Sequence, residues 1–148
     1  MRSMLLLLCT AAVAAAPAAS TAQVAGRVLS PRYVQESQQD HPNLIAQFGG
    51  AATGPRAAYV DSVGGRVAAY SGVAPNAYRF TVLNSAVENA FATPGGYIYI
   101  TRQLMGLMDN ESELAFALGH EVGHIAANHA QARESYARRN SVWGVLGA

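Results

Sequence analysis

The chain has 148 residues, enough for one domain with a modest core. Hydrophobic residues make up 51% and charged residues 13%, with much of the apolar excess in alanine and at the N-terminus. The formal net charge is +1, so there is no basic surplus to neutralise phosphates, and nucleic acid is not an expected partner.

Residues 1–22 carry the marks of a secretory signal peptide. Arg2 supplies the positive start, Met4 to Ala16 is an apolar run too short to span a bilayer, and Pro17 breaks it. Ser20-Thr21-Ala22 offers the small residues that a signal peptidase reads, which predicts cleavage after Ala22. The expected location is then outside the cytoplasm, in a bacterial periplasm. Two other fates stay open: an uncleaved leader acting as an anchor, and a lipid-modified Cys9. Leu8 is bulky for the residue before a lipidated cysteine. Cleavage after Ala22 would leave a mature chain with no cysteine and no disulfide.

Ser30-Pro31 reads as an N-cap followed by proline at the first helical position. A short polar helix, "RYVQESQQ", is predicted next, interrupted over Asp40 to Pro42. "NLIAQF" is predicted as a second short helix, stopped by Gly49-Gly50. Ala58, Val60, Val63, Val67 and Tyr70 then recur near helical spacing, with Gly72 as the stop and Gly64-Gly65 as a weak point.

The period changes at "YRFTVLN", where Tyr78, Phe80 and Val82 share one face of a strand. "ENAFATP" and "YIYIT" are further strand candidates, separated by the turn signal Pro94-Gly95-Gly96. Thr101 can cap a short helix, "RQLMGLM". Asn110 with Glu113 three residues later forms a capping box for the next helix. Helices, a small antiparallel sheet and a central helix make an α+β plan. Arg133, Arg138 and Arg139 read as a solvated, dipole-favoured helix end rather than a binding patch.

The central helix carries His120-Glu121-Val122-Gly123-His124. At about 100° per residue, His124 lies about 40° from His120 and Glu121 about 100° away. Both imidazoles can therefore grip one zinc ion, with Glu121 placed to accept a proton from zinc-activated water. Leu114, Leu118, Val122 and Ile125 fall on a separate core arc. His129 falls in the middle of that arc, about 180° from His120 on a straight helix, and is predicted to be a core histidine. Ala115, Gly119, Gly123, Ala126 and Ala130 form a third, small-residue arc, which predicts close approach of another helix or strand, with room for substrate as the functional alternative.

"NAFATPGGYIYITRQLM" followed by "NESELAFALGHEVGHIAANH" resembles the HtpX-like zinc metallopeptidases, in particular their soluble, exported bacterial branch. The resemblance runs from about Phe80 to His129. It implies a zincin-like core with a gluzincin-type site: one zinc ion, His120 and His124 as the first two ligands, and Glu121 as the general base. It also implies that the strand around Gly96, Tyr97, Ile98 and Tyr99 lines the cleft, where an extended peptide could pair by β-augmentation.

The third ligand in such families is a glutamate on a later helix. Glu134 lies about 15 Å past His124 along a continuous helix and Glu113 about 10 Å before His120, both too far to coordinate. The metzincin layout needs Gly at 127 and His at 130, and both are alanine. The expectation is therefore that residues 23–148 are the N-terminal part of a catalytic domain, with the third ligand beyond residue 148. "NSVWGVLGA" reads as the start of another apolar helix. The expected function is zinc-dependent hydrolysis of peptide bonds in unfolded, exported or misfolded envelope proteins. The alternative is a non-catalytic, chaperone-like fragment with an incomplete metal site.

Overall fold

The computed structural model describes residues 26–129 and 131–135. The leader, its cleavage site, Cys9, Arg138, Arg139 and the final apolar stretch lie outside the described residues.

Helix α1 spans Pro31–Gln47 without a break and carries Pro42 in its interior. Two short helices were expected there. Proline removes one backbone donor, a local loss that contacts elsewhere along the helix can outweigh. Those contacts are present. The Ser37 hydroxyl accepts from Gly95 N–H at 3.0 Å, and His41 meets the buried Tyr99. Ser30 sits at the N-cap as expected, but its side chain makes no capping hydrogen bond. Gly49 and Gly50, with φ of 80° and 96°, end the helix as their sequence position predicted.

Helix α2, Pro55–Ala68, is likewise continuous through Gly64-Gly65. A Cβ on Gly64 would stand 2.5 Å from the Phe80 ring, so the missing side chain there lets helix and strand approach. Val60 and Val63 are buried as the periodicity predicts, whereas Tyr70 lies past the helix end and is 92% exposed.

Three strands follow: β1 (Arg79–Leu83), β2 (Ala90–Ala92) and β3 (Tyr97–Thr101). Their spatial order is β1-β3-β2. The Pro94-Gly95-Gly96 turn folds β3 back antiparallel on β2, and β1 pairs with β3 in parallel. The sheet is mixed, which corrects the all-antiparallel expectation. The class remains α+β, because the β1-to-β3 link carries no helix.

Alternation along β3 sorts the two faces of the sheet. Ile98 and Ile100 face the main core, which they share with Val60, Val63, Val82 and Leu118. Tyr97 and Tyr99 face α1, where the His41 ring lies 4.7 Å and 5.7 Å from theirs. Phe91, opposite Tyr99 in the ladder, stacks on it at 4.8 Å and touches Phe48. Helices α2 and α4 (Glu111–Ala126) pack together on the core face. Short helix α3, Arg102–Gly106, joins β3 to α4, and the Thr101 hydroxyl accepts from Leu104 N–H as the sequence predicts.

The Tyr99 hydroxyl lies 2.7 Å from His41 Nδ1, and the residue has no exposed surface. Burial, reinforced by Tyr97 and Asp40, pushes its phenol up to about 12. An unfolded tyrosine releases its proton near pH 10, so between pH 10 and 12 the unfolded chain binds fewer protons than the folded one. Stability is therefore whole below that window and falls as pH rises through it, by about 2–3 kcal/mol. Urea unfolding at stepped pH should show that loss in the parent chain and a flatter profile in Tyr99→Phe. Equal slopes in both would count against the assignment.

Candidate metal centre

Helix α4 is fixed at both ends and along one side. At its start the Asn110 side chain accepts from Ser112 N–H at 2.9 Å and Glu113 N–H at 3.2 Å. Glu113 accepts from the Asn110 side-chain amide and from Asp109 N–H, each at 3.0 Å, so the reciprocal half of the predicted box lands one residue before the N-cap. Leu114, Leu118, Val122 and Ile125 are all buried, as the helical phase predicts. Fully burying a leucine such as Leu118 is worth about 1.5–3 kcal/mol. Gly119 presses against Val67 of α2, where an added Cβ would find Cγ1 at 3.3 Å. Gly123 faces open space instead, so close approach explains the first of these glycines and not the second. At the C-terminal end, the Arg27 guanidinium donates to the carbonyls of Ile125, at 3.2 Å, and Ala126. A cation there also complements the helix dipole.

On the face away from the core, His120 Nε2 and His124 Nε2 converge to 3.1 Å. The rings stand nearly perpendicular, at 85°. Two Zn–N bonds of about 2.0–2.1 Å at a tetrahedral angle set their nitrogens about 3.3 Å apart, so the pair fits one such ion. His120, Glu121 and His124 form a candidate metal group, with one ligand atom from each within 4.8 Å of the others. Glu121 is 9% exposed, unlike His120 beside it. Burial raises its carboxyl above the usual range, opposed by the positive forms of His124 and His120. A carboxylate in that setting is a better proton acceptor than one in water.

His129 is not a core residue. Helix α4 stops at Ala126, and Asn128 takes a left-handed conformation at φ 56°. That turn swings His129 back until its Nδ1 lies 2.8 Å from His124 Nδ1. The straight-helix projection failed because the helix ends three residues earlier than it assumed. The signal was Asn128 itself, one of the few non-glycine residues that accepts this C′ conformation. The same break changes the argument for Glu134, which pairs with Tyr33 at 2.7 Å and Arg32 at 3.3 Å on α1. It still stands outside the metal group.

A cleft beside His124 is lined by Ala92, Thr93, Pro94, Asn128, His129 and Arg133, among others. None of Gly96, Tyr97, Ile98 and Tyr99 lines it. Strand β3 is hydrogen-bonded on both sides, so no peptide can add to it. Ile98 points into the core, and Tyr99 lies against α1. Among the described residues, the strand edge left open next to α4 belongs to β2.

Comparison with known proteins extends these observations. A stretch of 93 residues is 37% identical to the beta-barrel assembly-enhancing protease of Yersinia pestis, covering 61% of this chain and 19% of that protein. The protein of the same name from Escherichia coli strain K12 is 33% identical over 93 residues, again 19% of its length. Over 84 residues, 57% of this chain is 30% identical to the mitochondrial metalloendopeptidase OMA1 of Schizosaccharomyces pombe, covering 25% of it. The chain thus spans about a fifth to a quarter of the length of these relatives. The profile of peptidase family M48 matches residues 55–148, from α2 through the histidine pair. With the family's match covering most of the chain, and the paired imidazoles and buried glutamate on its central helix, the chain belongs to peptidase family M48.

Proposed function

We propose that the chain carries the catalytic helix of a zinc metalloendopeptidase that hydrolyses unfolded, exported or misfolded envelope proteins. The observation that carries this reading is the convergence of His120 Nε2 and His124 Nε2 at 3.1 Å with the buried Glu121 alongside. Zinc bound there supplies Lewis acidity and makes water nucleophilic at neutral pH. The chain's own residues do the rest. His120 and His124 hold the ion, and Glu121 takes the proton of the attacking water and returns it to the leaving amine. The resemblance to the HtpX-like peptidases implies a further glutamate as third ligand, and two imidazoles leave room for one. The substrate lies extended along the open edge of β2, Ala90–Ala92, beside the His124 cleft. Placement in the HtpX-like exported branch, and in the periplasm, rests on the leader-like residues 1–22 and on the Phe80-to-His129 resemblance. The names of the bacterial relatives couple a protease to β-barrel assembly, which supports an envelope substrate. No described helix is long and apolar enough to cross a membrane.

Zinc titration by calorimetry tests the assignment. The 148-residue chain should bind one zinc ion weakly, because two imidazoles leave much of the coordination sphere to water. His120→Ala and His124→Ala should each abolish that binding while the circular dichroism spectrum stays unchanged. Binding that survives His124→Ala would remove the basis of the proposal.

A further inference from the structure

The turn at Asn128 brings a third histidine to the site, and His129 has no role in the chemistry described so far. Its Nδ1 meets His124 Nδ1 at 2.8 Å, while His124 Nε2 faces His120 Nε2 at 3.1 Å. His124 is therefore held at both ring nitrogens, one toward the candidate metal position and one away from it. The His124 and His129 rings lie 5.0 Å apart at 66°. We infer that His129 is a positioning residue of the metal centre: it accepts the Nδ1–H of His124 and so commits the His124 Nε2 lone pair to the metal.

The inference rests on the reading that His120 and His124 hold the ion. Its logic is that of a neutral imidazole. One ring nitrogen carries the proton and the other carries the lone pair, and a hydrogen bond at one decides the state of the other. If His124 Nε2 is to bind a cation, its Nδ1 must keep the proton, and that proton needs an acceptor. His129 Nδ1 is the acceptor in place, which puts the proton of His129 on its own Nε2. Metal-bound histidines are commonly held this way by a carboxylate, a carbonyl or water. Here the acceptor is a second imidazole, presented by a left-handed asparagine five residues after the last helix hydrogen bond begins, at Asn128 and Gly123. Direct ligation by His129 is disfavoured by the same geometry. Its nitrogen faces Nδ1 of His124, on the opposite side of that ring from the Nε2 atoms that converge.

The test uses two substitutions and two readouts on the 148-residue chain. His129→Gln keeps an oxygen that can accept the His124 proton, and His129→Phe keeps the ring volume without an acceptor. Long-range nitrogen–proton NMR of the metal-free chain, at a pH where the rings are neutral, reports the His124 tautomer. Zinc titration reports affinity. The parent chain and His129→Gln should both show His124 protonated at Nδ1, and their zinc affinities should agree within a few-fold. His129→Phe should show mixed tautomers and bind zinc about 10- to 100-fold more weakly. An unchanged tautomer and affinity in His129→Phe would overturn the inference. So would zinc binding lost equally in both variants with the tautomer intact, which would make His129 a ligand. If the parent chain binds no zinc at all, the metal reading fails by itself. The tautomer of His124 then still decides whether His129 holds it.

Discussion

Replacing Glu121 by glutamine is expected to lower peptide hydrolysis by about 10²- to 10⁴-fold, the usual worth of a general base. The same change should leave zinc affinity within a few-fold and the fold intact. Glutamine matches glutamate in size and fills the same space beside Val122 on the buried flank of α4. It can still accept a hydrogen bond. It cannot take a proton at neutral pH, and proton uptake is the role proposed for this carboxylate, whose basicity burial raises. The assay is casein hydrolysis by the protein with its ligand set complete, together with zinc calorimetry on both forms. His120→Ala serves as the contrast, since it should lose zinc and activity together. The two substitutions separate the roles. If Glu121→Gln loses zinc as His120→Ala does, Glu121 is a ligand rather than a base, which its place within the candidate metal group makes a real alternative. If activity survives Glu121→Gln, another group accepts the proton.

The parts of this molecule that could be read from the sequence are those whose physics is local. The Asn110–Glu113 box, the Leu114-Leu118-Val122-Ile125 stripe and the His120–His124 spacing each involve residues within a turn or two of one another. Each stands where the helical period puts it. The Thr101 cap is equally local. The readings that failed needed information from elsewhere in the chain. Pro42 looked like a break because its cost is local, whereas the contacts of α1 with Gly95 and Tyr99 come from more than fifty residues away. Nothing in "YIYIT" tells which strand lies on either side of it, so the parallel pairing with β1 and the loss of β3 as a peptide-binding edge were not visible. His129 is the intermediate case. Its position depends on one backbone angle at Asn128, and that residue type was a legible hint. A helical phase holds only as far as the helix runs, and Asn128 is where this one turns away.

Gly96→Ala, in the turn that leads into β3, is expected to destabilise the chain by about 3 kcal/mol or more. Two costs combine. The residue sits at φ 95°, where a side chain strains the backbone by about 1–3 kcal/mol. The new Cβ would also stand 2.1 Å from the Ala77 carbonyl oxygen and 3.0 Å from Leu29 Cδ1. A backbone carbonyl cannot swing aside as a side-chain end can, so overpacking adds about 1–3 kcal/mol more. The turn is held tightly on both sides of this point. Gly96 N–H donates to the Thr93 carbonyl at 3.1 Å, and the Gly96 carbonyl accepts from Arg79 N–H at 2.9 Å. Yielding to the methyl group would therefore loosen both the β2–β3 hairpin and the start of the β1–β3 ladder. Gly72→Ala separates the two costs, because Gly72 has φ 73° with nothing within 4 Å of an added Cβ. It should lose only the strain, about 1–3 kcal/mol. Urea midpoints followed by circular dichroism should rank the parent chain above Gly72→Ala and Gly72→Ala above Gly96→Ala. Equal losses in the two variants would mean that the Ala77 carbonyl moves freely and that the turn does not pin β3 between its neighbours. The edge of β2 that faces His124 would then have no fixed support.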